Sequence, residues 1–323
     1  MMKKLLAAAA VLALAACSQA PAGSGASETA SSAATPSASS PATPSATPAD
    51  EVSAYHHIVA TSPETSDMAL MLAGPENVAV ISASSLSPMG QNPELARQVP
   101  ERLETGINPD AEQILSYNPD LVVMTTRFDS ETGVVQQLRD SGVEVLDFDG
   151  HEFDTPELYA EAVKKMGEKL GMPATAAGLT NEFLGRIAQV DADLAKIENK
   201  KSPAVLELIA RGGKVMAMGV NNVVPGLAIR AGATDAGAAA GITRTMPIDA
   251  ETLLLANPDI LFVEDFRGSG LEPFQDLLDN PALADVPAIK NGRVVLLPMN
   301  EASSTAGLQM YKGYATIAAE VQK

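Results

Sequence analysis

Asp110-Ala111-Glu112-Gln113-Ile114-Leu115-Ser116-Tyr117-Asn118-Pro119-Asp120 runs straight into the apolar Leu121-Val122-Val123-Met124. The same phrase returns as Asp249-Ala250-Glu251-Thr252-Leu253-Leu254-Leu255-Ala256-Asn257-Pro258-Asp259, followed by Ile260-Leu261-Phe262-Val263. Seven of the eleven aligned positions are identical, which predicts two lobes of related build. Each copy reads the same way physically. Asp and Glu suit the partial positive charge of a helix start. Leu and Ile at helical spacing supply a buried face. Pro then disfavours helix at the Asn before it, and a buried strand begins at once.

Outward from the repeat, short apolar runs alternate with helical stretches. The first half offers His57–Ala60, Val78–Ile81, Leu121–Met124 and Val143–Leu146 as strands. The second offers Ala204–Ile209, Val215–Met218, Ile260–Val263 and Val294–Leu297, with helices such as Glu131–Ser141 and Pro156–Leu170 between strands. This alternation predicts an α/β fold: two three-layer lobes with mostly parallel sheets. Between the halves, Phe183, Ile187, Val190, Leu194 and Ile197 mark one apolar face of a long helix over Pro173–Lys200, a spine joining the lobes. The expected organisation is 1–17 signal segment, 18–52 tether, 53–172 first lobe, 173–201 connecting helix and 202–323 second lobe.

The start of the chain is a targeting segment. Lys3 and Lys4 precede a short apolar run, Leu5–Leu14, and Leu14-Ala15-Ala16-Cys17 follows. That ending resembles the lipobox of bacterial lipoproteins, which implies lipidation of Cys17; an ordinary signal peptide containing a Cys is the plainer alternative. Residues 18–49 hold 28 Ala, Ser, Thr or Pro among 32, a composition that cannot offset the entropy of ordering. Composition bounds the rest. A net charge of −18 argues against a general nucleic-acid binder. One Cys rules out a disulfide framework and a Cys-rich metal site, and three His leave little for a His-built cage.

Lipobox, tether, two α/β lobes and a connecting helix together resemble the lipoprotein-anchored substrate-binding component of ABC importers for ferric siderophores, haem and cobalamin. Asn118-Pro119-Asp120-Leu121-Val122-Val123, Asn257-Pro258-Asp259-Ile260-Leu261-Phe262 and the tail Leu283–Val294 carry the likeness, which spans residues 55–320. The resemblance implies a monomer without enzymatic activity or resident cofactor, held outside the cytoplasm by its lipid alone. Its partners would be a permease dimer with a cytoplasmic ATPase and a small chelated-iron ligand. It implies docking on permease Arg residues through Glu112 and Glu251, third in each repeat copy; a carboxylate favourable at a helix start is the bland alternative.

Ligands of open α/β sheets sit beyond the carboxyl ends of the strands. That rule selects Ser82–Met89 with Ser84, then Arg127, Phe128 and His151 in the first lobe, and Arg211, Asn221, Arg244 and Arg267 in the second. Guanidinium can fork onto carboxylate or catecholate oxygens. His151, past the strand ending at Asp149, could complete an iron's coordination, though a loop His is more often solvated. His56 and His57 lie at the wrong strand end, and Tyr311 and Tyr314 read as packing residues. Three readings compete: a receptor for a chelated metal, an extracellular α/β enzyme and a receptor for bare zinc or manganese. No Gly-x-Ser-x-Gly elbow or Walker loop supports the second, and three His are thin for the third. Within the first, a ferric siderophore ranks ahead of haem or cobalamin because of the arginines and the missing Trp.

Overall fold

The computed structural model describes residues 51–104 and 109–323, apart from the Arg267 side chain. Cys17 and residues 18–50 lie outside the described residues. In the first lobe, strands β1 (Ile58–Ala60), β2 (Val78–Ser82), β3 (Glu101–Leu103), β4 (Leu121–Thr126) and β5 (Val145–Asp149) form one parallel sheet in the order β3-β2-β1-β4-β5. Its helices are α1 (Pro63–Ala73), α2 (Pro93–Ala96), α3 (Ala111–Ser116), α4 (Asp129–Asp140) and α5 (Pro156–Leu170). Alternate residues of the strands part to opposite faces. Ile58 and Val123 join the core with α1 and α5, while Val59 and Val122 pack with α3 and α4. Helix, sheet and helix thus make the three layers.

After α6 (Pro173–Ala195), the second lobe builds a sheet from β6 (Ala204–Arg211), β7 (Lys214–Met218), β8 (Thr234–Asp235), β9 (Met246–Pro247), β10 (Ile260–Asp265) and β11 (Val294–Pro298). The order is β11-β10-β6-β7-β9, with β8 beside β6. Strands β6, β10 and β11 are parallel, whereas β7 runs antiparallel to β6. The reason is the Arg211-Gly212-Gly213-Lys214 turn. Both glycines sit at positive φ, 57° and 74°, the conformation a tight two-residue hairpin demands. Helices α7 (Val223–Arg230) and α11 (Met310–Gln322) cover one face; α8 (Ala250–Ala256), α9 (Gln275–Leu278) and α10 (Pro287–Lys290) belong to the other.

The repeat has a structural cause in both lobes. Asn118 and Asn257 are the non-glycine residues with positive φ among the described residues, 50° and 46°. Each turns the chain out of its helix, where the short amide side chain tolerates the left-handed region. Asp120 then accepts the backbone N–H groups of His56 (2.7 Å) and His57 (3.0 Å). Asp259 accepts that of Ala204 at 2.8 Å. Both aspartates clasp the entry of their lobe's central strand.

Two boundaries differ from expectation, the end of α6 and the start of the folded part, while β5 ends at Asp149 as expected. Helix α6 stops at Ala195, short of Lys200, because its apolar face fades: Leu194 is buried but Ile197 is 36% exposed, so a further turn has little to pack against. Strand β5 extends to Asp149 through Asp147-Phe148-Asp149, an alternation that buries Phe148 alone on an edge strand. Glu51, assigned to the tether by composition, belongs to the fold. Its carboxylate accepts the N–H groups of Ala174 (2.6 Å) and Thr175 (2.7 Å), capping the start of α6. Desolvation acts against the charge, but these bonds outweigh it and hold the Glu51 carboxyl below its ordinary range.

Helix α6 fastens both lobes. Asp191 on it pairs with Arg230 of α7, which also pairs with Glu157 of α5, and the Tyr314 hydroxyl of α11 donates to Asp191 at 2.6 Å. One continuous apolar core runs from Ile58, Phe153 and Tyr159 through Phe183 and Ile187 of α6 to Leu227, Phe262 and Ile317.

Candidate functional site

By the strand-end rule, the cleft expected between the lobes lies beyond the carboxyl ends of the parallel strands, β1, β2, β4 and β5 in one lobe and β6, β10 and β11 in the other. Its base is stitched by polar contacts from the first lobe to the segment 303–309. Gln91 donates to the Thr305 carbonyl (3.0 Å) and accepts the Leu308 N–H (3.1 Å), and Ser304 donates to Glu64 at 3.2 Å. Gly307 is needed here: a Cβ would stand 1.9 Å from Gln91 Nε2 and 2.6 Å from the Tyr159 hydroxyl oxygen. Above this base the loop after β2 meets the turn after β10, where a Cβ on Gly268 would lie 3.6 Å from Pro88 Cγ.

Arg127 reaches the base of the cleft, but its guanidinium is committed. It pairs with Glu64 at the start of α1, donates to Thr125 Oγ1 at 2.9 Å, and lays its stem against Gly150. Glu64 is buried, and its Oε2 has no hydrogen-bond partner. Asp67, one helical turn on, accepts the N–H groups of Gln91 and Asn92. Burial nevertheless pushes its carboxyl up to about 6, with the Glu64 charge adding to the effect. Phe128 opens α4 beside Arg127. Phe128 is 52% exposed, while the Arg127 and Phe128 N–H groups are both taken by Glu131. Ser84 lies half-buried in the turn after β2, its N–H given to Ser82 Oγ at 3.3 Å.

His151 is exposed on the rim and bonds Asp154 at 2.7 Å. That hydrogen bond, with the Asp154 charge, raises its affinity for a proton, so the ring is engaged rather than offered as a free ligand. In the second lobe the hairpin turn presents Arg211, with its guanidinium 6.0 Å above the Phe266 ring. Arg244 is exposed, and its backbone packs so tightly on Gly219 that a Cβ there would fall 2.7 Å from Arg244 Cα. Its side chain has no hydrogen-bond or ion-pair partner among the described residues. Asn221 is exposed just ahead of α7. The Arg267 side chain lies outside the described residues. Of the selected cations with described side chains, Arg211 is therefore the one left free at the carboxyl end of β6; antiparallel β7 and β9 set Arg244 beside Gly219, past the Glu207–Met218 pair and toward the amino end of β6.

Two buried acids escaped the sequence reading. Glu207 and Glu264 lie inside the apolar runs of β6 and β10, each almost wholly buried. A charged residue within an otherwise unbroken buried strand was the available signal. Among the described residues no three His, Cys, Asp or Glu side chains gather as a metal site. No helix among them is long and apolar enough to cross a membrane.

Glu112 and Glu251 are exposed in the first turns of α3 and α8, behind the N-caps Asp110 and Asp249. Each helix ends where the next strand begins. Its start therefore points toward the carboxyl-end side of the sheet, the side that bears the cleft.

The description "periplasmic binding protein" fits residues 58–301 as a family match. The chain belongs to the periplasmic binding protein family. The family expected from the repeat and tail is the family found, and membership makes this a solute-binding protein and not an enzyme. Solved structures share the fold of this binding protein. The periplasmic haem-binding protein RhuT from Roseiflexus sp. RS-1 is 24% identical, with a TM-score of 0.66 over 83% of this chain and 98% of its own. A periplasmic haem-binding protein from Pseudomonas aeruginosa is 24% identical, with a TM-score of 0.65 over 83% and 92%. An ABC transporter substrate-binding protein from Listeria monocytogenes EGD-e is 23% identical, with a TM-score of 0.64 over 82% and 98%. No curated protein sequence matches it.

Proposed function

We propose that this periplasmic binding protein is the extracytoplasmic receptor of an ABC importer. Anchored by lipid on Cys17, it captures a ferric siderophore in the interlobe cleft and passes it to a permease dimer driven by a cytoplasmic ATPase. One observation carries the ligand reading: Arg211, at the carboxyl end of β6, and Arg244, beside Gly219, stand free of carboxylate ion pairs among the described residues of a chain with 40 acidic residues. Guanidinium is suited to the clustered oxygens of a catecholate or carboxylate chelate. Phe128 and Phe266 add apolar surface to the same cleft. Haem is the second reading, favoured by the haem-binding proteins that share the fold. Glu112 and Glu251 serve as the two docking points, one per lobe, suited to a two-fold partner.

Direct titration separates the ligands. The protein has five Tyr and no Trp, so tyrosine fluorescence reports binding. A ferric tris-catecholate, ferric citrate, haemin and cyanocobalamin are each titrated at one ionic strength. Saturable quenching by a ferric chelate, weakened in Arg211→Ala and Arg244→Ala, supports the siderophore reading. Saturation by haemin alone transfers it to haem, and binding of none overturns it.

A further inference from the structure

Glu207 and Glu264 lie on the same face of the second-lobe sheet. Glu207 stands opposite Phe262 in the register of β6 and β10, and Glu264 follows Phe262 by two residues. Three of their four carboxylate oxygens are sealed from solvent with no hydrogen-bond partner. Two fully charged carboxylates cannot persist there, so the pair must hold protons. Burial, reinforced for Glu207 by Glu264's charge, raises both; Glu264 is pushed up to about 7 and Glu207 well above its ordinary range. The pair therefore gives up its first proton above the ordinary glutamate range.

Arg211 closes the same strand face as Glu207 and Ile209, because it lies four residues beyond Glu207 on β6. It is the charge that acts on both acids. Two further charges lie near: β8 sets Asp235 opposite Val205, two residues before Glu207, and Arg244 packs on Gly219, next to Met218. Strand β7 sets Met218 opposite Glu207 and Lys214 opposite Arg211, and β11 sets Leu297 opposite Glu264. The helices covering this face bury Val223, Val224 and Leu227 of α7 and Ile317 and Val321 of α11.

The geometry points to Glu207 and Glu264 as positioning residues for Arg211: proton loss from the pair draws the guanidinium toward the sheet and loosens its hold on an anionic ligand group. The consequence for ligand binding rests on the importer reading, but the coupling to Arg211 does not. Phenylglyoxal modifies exposed guanidinium groups, and peptide mass spectrometry reports Arg211 and Arg97 in one sample. Arg97, exposed at the end of α2 in the first lobe, corrects for the intrinsic pH dependence of the reagent.

The Arg211-to-Arg97 labelling ratio of the full chain is expected to fall roughly two- to fivefold from pH 6 to pH 8, the scale of a partly exposed charge interaction. The double variant Glu207→Gln with Glu264→Gln, close in shape to the protonated pair, flattens that profile, and each single Gln variant reduces the slope if the double variant fails to fold. Glu264→Asp, which still titrates, keeps a slope. A flat wild-type ratio overturns the proposal, as does a full wild-type slope in the folded double variant or in both folded single variants. Ferric citrate, titrated at pH 6 and 8, provides the separate arm. A moving ratio without ferric citrate binding supports the pair while counting against a carboxylate chelate as the ligand. Binding equally tight at both pH values overturns the link from Arg211 to the ligand.

Discussion

Asn118 and Asn257 perform the same backbone task in lobes of different detail, and the task dictates the residue. Each holds φ near +50° at the end of its helix, which a β-branched side chain resists. Asn118→Gly is expected to leave stability within about 0.5 kcal/mol of wild type, whereas Asn118→Val should lower it by about 1–2 kcal/mol in urea titration. The repeat made this pair legible in the sequence, because Pro after Asn fixes where the helix must stop. Glu64, Glu207 and Glu264 were not legible as a site, since their importance comes from neighbours brought in by the sheet and by segment 303–309. Glu264 also yields a stability prediction. Its ordinary value is 4.5 and it titrates near 7 in the fold, so the folded state holds the proton more tightly than the unfolded chain. Ionisation therefore opposes folding: the penalty is absent below pH 4.5 and complete above about 7. Replacement by the neutral Glu264→Gln should raise stability by up to about 3 kcal/mol at pH 8 and change it little at pH 4, measured by chemical denaturation. Asp67, raised to about 6, contributes a decline of the same sign and would remain in that variant.

At the scale of elements, strands buried on both faces read clearly from their apolar runs, and Pro156–Leu170 was legible as a helix from its N1 proline and periodic face. The short edge strand β3, with Glu101 and Arg102, was not, because only Leu103 is buried. Nor could the cap on α6 be read locally. Met172, its N-cap, supplies no side-chain bond, and the acceptor comes from Glu51, more than a hundred residues earlier. Glu51→Ala should lower the melting free energy by about 0.5–2 kcal/mol, the usual worth of an N-cap. It should also speed amide exchange at Ala174 and Thr175 without altering exchange in α11. Uniform acceleration across the fold would show that Glu51 supports more than the helix start.

Across the molecule, one apolar core and the Asp191–Arg230–Glu157–Tyr314 network join both lobes through α6. Opening the cleft widely would shear this core, so ligand binding is expected to produce only a small rotation. Scattering curves with and without ligand should nearly superpose; a change like that of a strand-hinged receptor would refute the spine. The docking proposal belongs to this scale as well. Glu112→Ala with Glu251→Ala should leave ligand affinity nearly unchanged while reducing transport. The loss is about 2–5 kcal/mol of coupling if each partner Arg is buried, and about 0–1 kcal/mol for rim pairs. Wild-type uptake by the double variant would reduce both residues to helix-start carboxylates.

The cap on α6 has a mechanical consequence. Tension on the chain ahead of Glu51 enters the folded part through the Glu51 carboxylate and the Ala54–Leu170 backbone bond, both at the junction of α5 with α6. The load falls on the element that both lobes share. A pull there carries the two lobes together as one body, so stretching the leader does little work on the cleft and leaves its opening to the ligand.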